Sequence, residues 1–156
     1  MNAIILLISI ILSFGKTTVN IMPEPVKPAS ESHEVTLYIF RGNGCPHCTH
    51  AVEYFNSNHE ENVKVVTYEV WYNKNNKDLY SKVANELDIN ARAVPFIIVG
   101  DTYYYVGFSN GDDIMNMAIK ETKNEKYVDL VQKVIEKNNL NEIKATSIEE
   151  AMAEEM

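Results

Sequence analysis

The chain has only two cysteines, Cys45 and Cys48, three positions apart. A pair so close closes only a small local ring, so no framework of disulfides between distant segments can hold this fold. Basic residues are also few: 14 Lys and Arg stand against 22 Asp and Glu, for a net charge of -8. Nucleic acid and anionic membrane surfaces are bound through basic patches, so this balance argues against both as partners. Long apolar runs are scarce. The longest, residues 3–14, is interrupted by Ser9 and Ser13 and falls short of the ~20 residues that a spanning helix needs. Internal repeats are absent. What is present, 156 residues of which 46% are hydrophobic, is enough for one ordinary core. With a structural disulfide framework set aside, the cysteines point to redox chemistry or to a metal.

Residues 3–14 match the h-region of a signal peptide in length, and Ser13 and Gly15 are small residues at the positions a signal peptidase reads, so residues 1–15 are expected to be a signal peptide cleaved before Lys16. The alternative is an uncleaved membrane anchor, with residues 17–22 extending the apolar stretch while Lys16 snorkels to the interface. Either way the domain is expected outside the cytoplasm, secreted or anchored, with the N-terminal segment its only membrane contact. Residues 16–33 carry Pro23, Pro25 and Pro28 among charged and small polar residues, which suits an extended linker. The folded domain is expected over 34–138, followed by an acidic C-terminal tail over 139–156.

An apolar run at 35–40 leads into Arg41-Gly42-Asn43-Gly44-Cys45-Pro46-His47-Cys48. Beyond it Cys48, Ala51, Val52 and Phe55 recur at i, i+3, i+4 and i+7, the spacing of one helical face. The C-P-H-C motif is therefore expected where a strand passes into a helix. Backbone N–H groups are unpaired at a helix N-terminus, and the macrodipole is positive there, which favours a thiolate at Cys45. Pro46 suits the first helical position because its missing N–H is not needed, leaving the amides of His47 and Cys48 to face the Cys45 sulfur. Cys45 is the expected nucleophile and Cys48, inward-facing one turn later, the resolving thiol. His47 can donate a hydrogen bond or a positive charge to Cys45.

Downstream, residues 63–71 have strand-like density, and Leu79, Val83 and Leu87 mark a helix. Val94-Pro95 precedes a hairpin formed by 96–99 and 102–106 around Gly100-Asp101. Asp112 or Asp113 is expected to cap the next helix, and a further one fits Tyr127, Leu130, Val131, Val134 and Ile135. Ser147-Ile148-Glu149-Glu150 reads as a capping box opening a short acidic helix in the solvated tail.

This order of strand, C-P-H-C, helix, strand, helix, V-P, hairpin and helix resembles the thioredoxin fold over residues 35–121. Arg41 to Cys48, Val94-Pro95 and residues 107–113 are most similar to the glutaredoxin-like branch, whereas His47 between the cysteines resembles the periplasmic disulfide-forming oxidases. The large helical insertion of those oxidases is missing, and Ile39 stands where thioredoxins carry a buried acid. The resemblance implies an α/β fold with a central mixed four-stranded sheet flanked by helices, here with extra C-terminal helices. It also implies that Pro95 is cis and faces the motif, with Val94 offering its backbone to an incoming peptide as an added strand.

The function expected on these grounds is an exported thiol-disulfide oxidoreductase. It would exchange disulfides with protein substrates and a redox partner protein, with no cofactor beyond its own Cys45–Cys48 pair. The catalytic residues would be Cys45, Pro46, His47 and Cys48, and the substrate-binding residues Val94 and Pro95. The alternative is a binding module that holds Zn or Cu on the same thiolates with His47 and His50. Helical geometry counts against it, because His50 lies two residues beyond Cys48, about 200° around the axis.

Overall fold

The computed structural model describes residues 31–156; the signal or anchor segment and the proline-rich linker lie outside the described residues up to residue 30. Strand β1 (Val35–Arg41) is the centre of the molecule. Its side chains alternate between two cores. Val35, Leu37 and Ile39 join one apolar cluster, and Tyr38 and Phe40 the other. A strand covered on both faces reads as a continuous apolar run, as the sequence does here.

Helix α1 (Pro46–Ser57) buries Cys48, Ala51, Val52 and Phe55, the face expected from their spacing. It shares the first core with α3 (Gly111–Glu121) and α5 (Ile148–Glu155). On the other face, α2 (Lys74–Glu86) and α4 (Leu130–Lys137) cover the second core with Leu79, Val83, Leu130, Val131 and Val134. The cap of α3 is Asn110, whose side chain accepts from the Asp113 N–H, and Asp112 and Asp113 fall in the first turn instead. Asn and Asp both cap well, so composition alone did not choose among the three residues.

Among the described residues the sheet has five strands, in the order β4-β3-β1-β2-β5. Strand β2 (Val63–Glu69) runs parallel to β1, and β3 (Phe96–Val99) runs antiparallel to it. Strand β4 (Tyr103–Val106) pairs antiparallel to β3 across Gly100, which takes a positive φ of 62°. The expected count of four omits β5 (Thr146–Ser147), which adds antiparallel to β2. Two polar residues give no alternation from which to read a strand.

The acidic tail expected over 139–156 is likewise corrected: Ile148 and Ala151 are buried in the first core. The buried Asn76 pins the approach to this segment. Its amide donates to the carbonyls of Glu69 (3.0 Å) and Lys144 (2.9 Å) and accepts from the Lys144 N–H at 2.8 Å. The Ser147–Glu150 capping box is present as the sequence indicates. Among the described residues no helix is long and apolar enough to cross a membrane.

Candidate functional site

The ends of β1 and β2 and the start of β3 meet at one edge of the sheet, because β1 and β2 are parallel and β3 opposes them. The motif turn lies there. The Cys45 N–H donates to the Gly42 carbonyl at 3.1 Å, and Gly44, at φ 82°, supplies the left-handed residue that a type II turn needs. Cys45 then occupies the N-cap of α1, with Pro46 opening the helix. The N–H of Cys48 donates to the Cys45 carbonyl (2.9 Å), as does that of Thr49 (3.0 Å). The expectation that the Cys48 amide faces the Cys45 sulfur is corrected accordingly: helical geometry commits this donor to the backbone. The dipole of α1 still presents its positive end to Cys45.

The two thiols are free and unequal. Cys45 keeps 5% of its surface open and Cys48 none. The Cys45 Sγ lies 3.9 Å from the Val94 carbonyl oxygen, and the Val94–Pro95 peptide bond is cis, as the resemblance implies. The Pro95 carbonyl is held in turn by the Gly107 N–H at 2.8 Å. Three sequence-predicted residues, Cys45, Cys48 and Val94, thus converge, and Pro95, next after Val94, is buried. Pro46 and His47 are exposed. His47 lines a groove of about 590 Å³ with Tyr104, Val106, Phe108 and Asp113, on the β4 side of the motif. His50 is exposed as well.

Burial pushes the Cys48 thiol well above its ordinary range. Its hydrogen bond with Cys45 and the negative charge of Glu155 push the same way, and the Gly42 N–H, 3.5 Å from the Cys48 sulfur, opposes them. Cys48 is therefore a neutral donor at physiological pH. This has a measurable consequence for stability. In the unfolded chain the thiol ionises near about 8.5; in the folded chain it ionises well above that. Above the unfolded value the unfolded state binds fewer protons, so the contribution is fully present below about pH 8.5 and is lost as pH rises, by about 1.4 kcal/mol per pH unit for one proton. Joining Cys48 to Cys45 removes this ionisation. The urea midpoint of the dithiol form should therefore fall more steeply between pH 8.5 and 10 than that of the disulfide form, and parallel profiles would contradict a thiol held neutral by burial.

A further component escaped the sequence reading. Arg41, fully buried at the end of β1, is ion-paired with Glu154 and with Glu155, the latter at 3.1 Å, and its Nε donates to the Thr67 hydroxyl at 3.3 Å. The Thr49 hydroxyl donates to the other oxygen of Glu155 at 2.7 Å. The Glu155 carboxylate, only 4% exposed, thus ties the last residue of β1 to the first turn of α1 on either side of the motif. An arginine closing an apolar strand was the signal available: buried guanidinium demands an acid. Nothing local said that the acid would come from the C-terminal helix.

Among the described residues no group of three or more His, Cys, Asp or Glu side chains is arranged to hold a metal ion. Comparison of the chain with protein-family models, with curated proteins and with solved structures finds no match.

Proposed function

We propose that this chain is a thiol-disulfide oxidoreductase of thioredoxin-like fold, with β5 and α5 added to the edge of its sheet. One observation carries the proposal: a slightly open Cys45 at a helix N-terminus, one turn before a fully buried Cys48 and 3.9 Å from the carbonyl preceding a cis proline. An inert pair of buried cysteines has no use for the asymmetry. A reactive pair does, because the thiolate is the attacking species and the second thiol must wait.

In the reducing direction, the Cys45 thiolate attacks one sulfur of a substrate disulfide. A Cys45–substrate bond forms as the substrate S–S bond breaks, and the departing thiolate takes up a proton. Cys48 then loses its proton and attacks Cys45 Sγ, which forms the Cys45–Cys48 disulfide and releases the second substrate thiolate. The substrate gains two electrons and the chain loses two. The same steps reversed oxidise a substrate dithiol. Val94, half-buried beside the pair, offers the backbone against which an extended substrate segment lies. The substrates are protein thiols and disulfides, and a redox partner protein resets the pair.

The test is reduction of insulin disulfides together with metal content after purification. The proposal expects catalysis by the metal-free chain; stoichiometric Zn or Cu and no reductase activity would favour a metal-holding module. His47, at the helix N-terminus beside the pair, stabilises the reduced form when it donates to or charges the Cys45 environment. His47→Gly is therefore expected to make the pair's reduction potential more negative by about 30 mV, a tenfold change in the equilibrium constant. An unchanged potential would assign the whole effect to the helix terminus. The site of action we propose is extracytoplasmic, and a reporter fused to residues 1–33 that remained in the cytosol would contradict it.

A further inference from the structure

The most exposed aromatic side chains near the motif are neighbours in the loop that follows β2. Trp71 and Tyr72 leave 51% and 80% of their surfaces open, and large apolar side chains held open together mark contact surfaces more often than isolated ones do. The loop is built to hold them still. The Glu69 carboxylate accepts from the N–H groups of Trp71 (2.7 Å), Tyr72 (3.0 Å) and Asn73 (2.9 Å), and also from Asn43 in the motif turn (3.4 Å). One carboxylate therefore fixes the loop and fastens it to the turn that presents Cys45.

Trp71 also lies directly over Gly42. A Cβ there would stand 2.2 Å from the nearest ring carbon, so only glycine lets the indole seat. Gly42 and Cys45 are the first and last residues of the same turn, whose ends lie within about 7 Å of one another. Across the sheet, β1 is flanked by β3 on one side and β2 on the other. Val94-Pro95 and Trp71 thus stand on opposite sides of Cys45. Strands are spaced by about 4.8 Å, so β3 to β2 is about 10 Å, the span of about three residues of extended chain.

From this geometry we infer that Trp71 is a specificity site for the substrate of the exchange reaction. The extended protein segment that lies on Val94 and reacts at Cys45 continues across the motif and places an apolar side chain on the indole, within about two residues of its own cysteine. This inference rests on the oxidoreductase reading above. The occupant is an apolar, non-acidic segment, because a chain with net charge -8 repels an acid-rich one. A rigid, half-open aromatic is well suited to the contact, offering a large apolar area at little cost in side-chain entropy.

The chain's single tryptophan makes the test direct. Two cysteine peptides, one with leucine and one with serine in the positions flanking the cysteine, are presented as peptide disulfides to the Cys48→Ser chain, which stops at the mixed disulfide. The leucine peptide is expected to join Cys45 about tenfold faster and to shift Trp71 emission to shorter wavelength. Trp71→Ala should bring the ratio of the two rates close to one, and Trp71→Phe should keep most of it. Equal rates for the two peptides, or an emission unmoved by the leucine peptide, would overturn the specificity site while leaving the exchange reaction standing. Failure of both peptides to react would overturn the oxidoreductase reading and this inference with it.

Discussion

Replacing Cys48 by serine is expected to stop the exchange halfway, leaving the chain covalently joined to its substrates through Cys45. The expectation follows from the unequal placing of the thiols. Cys45 alone is open, at 5% against 0% for Cys48, and it alone sits at the N-cap of α1 with the Val94 carbonyl beside it. In the proposed exchange, first attack is therefore expected of Cys45, and release of the mixed disulfide of Cys48. Well-oriented intramolecular partners act at effective molarities of about 10⁵ M or more. Even a small part of that advantage means that losing Cys48 slows release by about 10³-fold relative to a millimolar external thiol. Cys48→Ser should accumulate mixed disulfides that reducing agent dissolves, Cys45→Ser should capture none, and the double variant should match Cys45→Ser. Capture by Cys45→Ser at the level of Cys48→Ser would reverse the assignment of the two thiols.

Arg41→Leu is expected to cost more stability than any exposed substitution near the site. Its guanidinium is fully buried, and Glu155, which it holds, keeps only 4% of its side chain open. Removing one partner of a buried pair leaves the other charge uncompensated, at a cost of about 3–5 kcal/mol. Urea unfolding should register this as a fall in midpoint of about 2 M, given the usual dependence on denaturant for small domains. Glu154→Gln removes a partner whose side chain is 44% exposed and should cost less than about 1 kcal/mol. Replacing Arg41 and Glu155 together by leucine should recover much of the single-variant loss, since no orphan charge remains. A loss below 1 kcal/mol in Arg41→Leu would mean that α5 is not held to the motif by this pair.

The elements that carry the motif were legible because their signals are local. The apolar run of β1, the i, i+3, i+4, i+7 face of α1 and the turn residues between β3 and β4 each lie within one short window. Residues 139–156 were read as an acidic, solvated tail for the same reason: their partners are far away in sequence. Asn76 meets Lys144 across 68 positions, and Arg41 meets Glu155 across 114. No periodicity announces such contacts, and an acidic capping-box helix looks the same whether it faces water or a buried arginine. Trp71 was read as the end of a strand, whereas β2 stops at Glu69. The carboxylate that accepts the following N–H groups ends the strand there, a contact that depends on the loop's own geometry. At the site, Cys45, Cys48, Val94 and Pro95 were legible from motif and resemblance. Glu155, Glu69 and Trp71 required the fold.

The measurement that bears most directly on the whole account is the fraction of chains carrying a Cys45–Cys48 disulfide as a function of ambient redox potential, read by alkylation and mass. The account predicts a reversible interconversion of dithiol and disulfide as one two-electron couple, with the ratio changing tenfold for every ~30 mV. Two thiols that remain independently alkylated across the range spanned by dithiothreitol and glutathione buffers, with no disulfide forming between them, would contradict it.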